Sequence, residues 1–149
     1  MAIDVRVLGR NDSEVLLHVA EEVFDNPVNP EFTKEFLQDP RHHLAVAIDA
    51  GIVVGFVSGV HYIHPDKAPQ LWINEVSVAP THRNQGLART MMHQMFEVGR
   101  QHRCTEAWVL TDRLNEAAMA LYTSVGGREG ADDHSPSDAV LGYTFDLMA

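Results

Sequence analysis

The sequence predicts an α/β fold: a mixed, mostly antiparallel central sheet with helices on both faces. Three observations carry that expectation. Leu71 to Val78 reads as a buried strand, with the β-formers Ile73, Val76 and Val78, and Ala79-Pro80 ends it because proline cannot donate to a ladder. From Leu87 onward the apolar period switches to that of a helix. Leu87, Met91 and Met95 recur at i, i+4, i+8, with Ala88, Met92 and Phe96 beside them, one wide apolar face. Strand-like alternation stands at both ends of the chain, in Ile3, Val5 and Val7 and again in Tyr143, Phe145 and Leu147.

Taken in order, Ile3 to Val7 forms a first short strand. Asn11-Asp12-Ser13 then offers a helix cap, and Val15, Leu16, Val19 and Val23 form the apolar stripe of a first helix. Asp25 to Pro30 is a turn-rich break, and Pro30 opens a second helix running through about Leu37, which Asp39-Pro40 ends. Leu44 to Ile48 is a strand, Asp49-Ala50-Gly51 a hairpin turn, and Ile52 to Ile63 the returning strand. Gly55 and Gly59 inside that strand predict a bulge or a close backbone approach. After the strand from Leu71 and the helix from Leu87 come a strand at Ala107 to Leu110, a helix from Asn115 to Val125, and a stop at Gly126-Gly127. The segment from Arg128 supplies the last strands, interrupted by an acidic loop over 129–138. The resulting order is β-α-α-β-β-β-α-β-α-β-β.

At 149 residues the chain predicts one domain, 1–149, with a single substantial core. No run of 18 apolar residues predicts a membrane span, and the N-terminus lacks the build of a secretory signal. Cys104 is the only cysteine, which excludes an intrachain disulfide and fits a reducing cytoplasm. The formal charge of −10 at pH 7 argues against nucleic acid as a partner and favours cationic ligands over acidic ones. Nine histidines raise the question of a metal. His61-x-x-His64 sits at a strand end with no carboxylate or cysteine at usual ligand spacing, and His42-His43 is expected at the surface, so no metal is expected.

Between the central strand and the long helix sits Arg83-Asn84-Gln85-Gly86-Leu87-Ala88. A strand feeding a helix through such a loop aims free backbone N–H groups at one point with the helix dipole behind them, an anion site suited to phosphate. Gly86 lets the backbone come close to a pyrophosphate, Ala88 keeps the next turn thin, and Arg83 and Arg89 add positive charge at the rim. The spacing Arg-x-x-Gly-x-Ala resembles the acetyl-coenzyme A pyrophosphate loop of the GCN5-related N-acetyltransferases (GNAT), whose pattern is Gln/Arg-x-x-Gly-x-Gly/Ala. Its place after a Val-x-Val-x-Pro strand strengthens the likeness, and the predicted element order is the one that family implies. The resemblance implies acetyl-coenzyme A as cosubstrate. It places the pyrophosphate on Asn84 to Arg89 and the pantetheine arm along the backbone of Val76, Ser77 and Val78. A homodimer is expected on the same likeness.

Acetyl transfer to an amine needs a group to take the amine's proton, a donor for the carbonyl oxygen, and a proton for the departing sulfur. Glu75 stands mid-strand in an apolar run. Either it lies on a solvated face or closes a salt bridge, or it points into a cleft, binds the substrate ammonium and accepts its proton. Asn74 is expected on the opposite side. Asn115 and Tyr122 match the family's Asn-x(6)-Tyr arrangement, which implies that Asn115 contacts the coenzyme arm and Tyr122 protonates its sulfur. A tyrosine at helical spacing is also compatible with a core position. Cys104 follows a helix end and reads as incidental, with His102 its only candidate activator for a covalent route.

The span from Ile52 to the C-terminus is further similar to the small aminoglycoside 3-N-acetyltransferases of this superfamily. The likeness lies in the proline-containing loop before the central strand, the acidic Glu75, Asp112 after the next strand, Ala120-Leu121-Tyr122-Thr123 and the Phe145-Asp146-Leu147 ending. It implies that Glu75, Asp112 and Asp146 meet ammonium groups of a polycationic sugar. Arg113-Leu114-Asn115-Glu116 is less acidic than that family's equivalent loop, and the loop around Asp132-Asp133-His134 is extra. Other amines (a polyamine, an amino-acid metabolite, a protein N-terminus) remain alternatives, as does a non-catalytic acyl-coenzyme A sensor.

Overall fold

The computed structural model describes residues 2–130 and 138–149. Its elements are β1 (Asp4–Val7), a 3-10 turn (Ser13–Leu17), α1 (Pro30–Gln38), β2 (His42–Asp49), β3 (Ile52–Tyr62), β4 (Gln70–Val78), a second 3-10 turn (Pro80–His82), α2 (Leu87–Gln101), β5 (Glu106–Asp112), α3 (Glu116–Ser124), β6 (Arg128–Glu129) and β7 (Val140–Asp146). Most of the acidic loop expected over 129–138 lies outside the described residues, including Asp132 and Asp133.

Local chemistry accounts for most boundaries. Asn29 caps α1, its Oδ1 accepting from the amides of Glu31 and Phe32 at 2.9 and 3.0 Å, and Pro30 takes the first helical position. Ala50 and Gly51 both adopt positive φ, 51° and 80°, which turns β2 into β3 as a tight hairpin. The expected first helix is corrected. The segment forms one 3-10 turn, and residues 18–20 then run as an extended piece against β3. The cause is a vacant ladder position. The β3–β4 pairing ends at Gly55↔Val78, so Val53 donates to the His18 carbonyl at 2.8 Å and accepts from Ala20 at 2.9 Å. Leu16 and Val23 are buried all the same.

The seven strands form one sheet in the order β1-β2-β3-β4-β5-β7-β6. Among these named strands only β4 and β5 pair in parallel, apart from the isolated parallel bridge of Val19 to Val53, and the other strand pairs are antiparallel. Helices cover both faces. On one, Phe24 stacks on Phe56 at 4.1 Å, and α1 packs over β2. On the other lies α2, whose Met91, Met92 and Met95 are fully enclosed. Gly55 and Gly59 make the close approach that their position in a strand predicted. A Cβ on Gly55 would stand 3.0 Å from the Ser77 carbonyl oxygen and 3.1 Å from Met91 Cε. One on Gly59 would stand 3.2 Å from Met95 Sδ. The absence of side chains there lets α2 sit flush on the sheet. Along β7 and just past its end, Tyr143, Phe145 and Leu147 are buried as their alternation predicts.

Gly55→Val tests this contact, because the Ser77 carbonyl belongs to a paired strand and has little room to retreat. Overpacking of this kind costs about 2 kcal/mol. Thermal unfolding followed by circular dichroism should show Tm falling by roughly 4–8 °C. An unchanged Tm would mean that α2 does not ride on Gly55.

Candidate active site

The site begins where a ladder stops. Parallel pairing between β4 and β5 runs from Gln70↔Glu106 to Ile73↔Val109 and goes no further. Among the described residues, Asn74 to Val78 continue with no partner strand on that edge. A bulge contributes to the divergence. Ser58 opposes Glu75 and Gly59 opposes Ile73, so Asn74 is the extra residue, and a bulged strand bends and twists at such a point.

Into the gap opens a cleft of about 730 Å3. Val76, Ser77 and Val78 form one wall; Asn115, Ala118, Leu121 and Tyr122 form the other. Arg83, Asn84, Gly86, Leu87, Ala88 and Arg89 close one end. Of the residues the sequence assigned to a coenzyme, only Gln85 does not line this space. Gly86 has φ 76°, and no atom lies within 4 Å of where its Cβ would be, so its bare backbone faces open room. The first intrahelical bond of α2 runs from Thr90 N to Gly86 O at 3.1 Å. The amides before it have no helical acceptor, which leaves them to an anion.

The loop is held from behind. Arg83 donates through Nε to the Val78 carbonyl at 3.3 Å. His82 is bound on both sides, its Nε2 to Asp49 Oδ2 at 2.7 Å and its Nδ1 to Thr81 Oγ1 at 2.8 Å. That tie fastens the phosphate-type loop to the β2–β3 hairpin. Sequence reasoning missed it, since nothing local joins His82 to Asp49. Asn115 caps α3, with Oδ1 accepting from Ala118 N at 3.0 Å, which leaves its NH2 as the group to reach the cleft. Tyr122 is 5% exposed and packs against Tyr143 and Phe145 with ring centroids at 5.6 and 6.3 Å. Burial pushes its hydroxyl up to about 12, so it stays protonated through the physiological range. Tyr122 is thus buried in the core and at the same time lines the cleft.

Glu75 lies one step along β4 on a second cleft of about 340 Å3, with Asn74, Ser58, Asp25, Phe24, Phe36 and Phe56 among its lining. Glu75 is exposed rather than locked in a buried pair. The expectation that Asn74 points the other way is corrected, because the bulge brings both side chains to the same cleft. The aromatic lining escaped sequence reading, although the period-two pairing of Phe56 with Ser58 was its available signal. Asp112 and Asp146 are not brought to Glu75. They stand at opposite ends of the β5–β7 ladder, roughly 20 Å apart, and neither lines either cleft. Each is engaged locally instead, Asp112 Oδ1 accepting from Leu114 N at 2.8 Å and Asp146 Oδ1 from Met148 N at 2.9 Å.

Comparison with known proteins gives this arrangement its family. The family model described as the acetyltransferase (GNAT) family matches residues 13–126, and the chain belongs to that family. Among relatives, an L-2,4-diaminobutyric acid acetyltransferase of Streptomyces coelicolor is 34% identical over 82 residues, covering 54% of this chain and 47% of that protein. The chain spans about half the length of the curated relatives it matches first. Among solved structures, an aminoglycoside acetyltransferase from an uncultured soil metagenomic sample shares the fold with a TM-score of 0.73 at 23% identity, over 87% of this chain and 94% of its own. NAA60 of Arabidopsis thaliana, solved with acetyl-CoA, has a TM-score of 0.73 at 16% identity, over 99% of this chain and all of its own. Among the described residues, no helix is long and apolar enough to cross a membrane.

Cys104 is 2% exposed, and burial raises its thiol to about 11, so it is neither accessible nor ionised near neutrality. A thiol reagent such as Ellman's should therefore leave the native protein unmodified and label one thiol per chain after unfolding. Rapid labelling of the folded protein would show that the thiol is open to reaction.

Proposed function

We propose that this protein transfers the acetyl group of acetyl-coenzyme A to a primary amine of a cationic small molecule, with an aminoglycoside, at its 3-amino group, as the first acceptor to test. The observation that carries this reading is the adjacency of the two clefts along β4. Val76 to Val78 face one and Asn74 and Glu75 the other, so an amine held by Glu75 sits beside whatever lies along Val76.

The fit to the coenzyme rests on the cleft itself: bare backbone at Gly86, helix amides without acceptors, and arginines at the rim. Asn84 to Arg89 would hold the pyrophosphate, Val76 to Val78 and Asn115 the pantetheine arm. When bound, the coenzyme supplies an activated acetyl thioester. Glu75 binds the ammonium and takes its proton on a carboxylate oxygen, directly or through water. A β4 amide donates to the carbonyl oxygen, and Tyr122 delivers its hydroxyl proton to the departing sulfur. Transfer is direct, with both substrates bound, because the enclosed Cys104 offers no acyl-carrying thiolate. The homodimer implied by the family likeness belongs to the same proposal.

A second reading is favoured by the lining of the acceptor cleft. Phe24, Phe36 and Phe56 stand around Glu75 and Asp25, with exposed Phe32 at the edge. Few carboxylates and several rings suit an amine on an apolar body, such as a peptide N-terminus, better than a polycationic sugar.

Coenzyme A release from acetyl-coenzyme A, measured with aminoglycosides, polyamines and peptides of apolar N-terminus, separates the readings. Turnover confined to aminoglycosides supports the first, turnover on peptides alone the second. Coenzyme binding with no turnover on any amine would overturn both in favour of a sensor. Tyr122→Phe should lower kcat by about 100-fold or more while coenzyme affinity hardly changes, and equal turnover would remove Tyr122 as the acid. Glu75→Gln should raise KM for cationic acceptors and lower kcat by about 100-fold or more. An unchanged kcat would exclude Glu75 as the base.

A further inference from the structure

Three histidines from three separate elements meet on the α2 face of the sheet. His43 belongs to β2, His61 to β3, and His102 is the residue that ends α2. One ring nitrogen from each lies within 4.8 Å of the others, and His43 Nε2 stands 2.8 Å from His61 Nδ1. The His61 and His102 rings stack at 4.4 Å, and His43 tilts against His102 at 4.8 Å. His43 and His61 are each 8% exposed, which corrects the surface position expected for His43.

We propose that His43, His61 and His102 form a three-imidazole site for a borderline transition-metal dication such as Zn2+, Co2+ or Ni2+, with water completing the shell. The donor set decides the class of ion. All-nitrogen imidazole sites suit these metals, whereas Ca2+ and Mg2+ require oxygen ligands, and no carboxylate joins the group among the described residues. The helix end beside the cluster favours a cation. His102 closes the C-terminal end of α2, with its amide shared between the Val98 and Gly99 carbonyls, so the negative end of the helix dipole abuts the cluster.

The geometry needs a modest adjustment. Metal–nitrogen bonds of about 2.0–2.1 Å place tetrahedral ligand nitrogens roughly 3.3–3.4 Å apart, so the His43–His61 pair at 2.8 Å must widen while the most distant pair, within 4.8 Å, closes. Rotation of His102 out of its stack supplies the contraction, and that side chain is only half-buried. A tautomer shift then frees the His43–His61 hydrogen bond for the ion. An ion there pins β2, β3 and the end of α2 together. It lies at the opposite end of α2 from the anion loop, about 22 Å along the helix, and so takes no part in the transfer.

The test uses tag-free protein stripped with EDTA. Added Co2+ should give the visible d–d band of a four-coordinate nitrogen site, calorimetry with Zn2+ should find one ion per chain, and Zn2+ should raise Tm. His102→Asn, checked for native circular dichroism, should weaken Zn2+ binding by about tenfold or more and lose both the band and the Tm gain; His61→Asn should do the same. Absence of a Co2+ band in the wild type would overturn the site. So would ion binding that survives both substitutions, since it would belong to other histidines.

Discussion

The cleft between β4 and α3 follows from two parallel strands that stop being neighbours. The β4–β5 ladder ends at Ile73–Val109, with the bulge at Asn74 just beyond. From there β4 keeps its bonds to β3 on one side and offers unpaired backbone on the other. Pairing to the strand ends would have filled the gap with ladder hydrogen bonds, and the sheet would have been continuous and inert. An interrupted ladder instead presents donors and acceptors at a fixed spacing to an extended ligand, the physics of strand addition.

The rest of the fold maintains that interruption. Phe145 packs against both Phe96 of α2 and Tyr122 of α3, so the two helices flanking the gap rest on a common ring. Gly55 and Gly59 remove side chains where α2 presses on β3, which sets the height of the helix and hence of the amides at its start. The His82–Asp49 pair holds the loop before those amides. These supports lie in different parts of the chain and converge on one short stretch of backbone.

Much of this was legible in the sequence because its causes are local. Period-four methionines revealed the buried face of α2, Pro30 the start of α1, Asp49-Ala50-Gly51 the hairpin, and Arg83 to Ala88 the loop between β4 and α2. The failures share a different cause. The helix expected from Val15 to Val23 gave way to a free position on β3, a vacancy that exists only once β4 has ended. Asn74 changed sides through a bulge that requires a partner strand to define it. Asp112 and Asp146 looked equivalent on paper, yet the antiparallel run of β7 against β5 sends them to opposite ends. The histidine cluster joins residues far apart in sequence, so no spacing rule reaches it.

The two clefts are drawn from different stretches of chain. Apart from β4, the cleft proposed for the acceptor is made by residues 16 to 58, and the cleft proposed for the coenzyme by residues that follow Val76. On the proposed reading, substitutions at Phe24, Val28, Phe32 or Phe36 reshape the acceptor cleft without touching the other one. The N-terminal part of the chain then serves as one separate wall. Grafting that wall between members of the family offers a direct way to redirect such a scaffold toward a new amine.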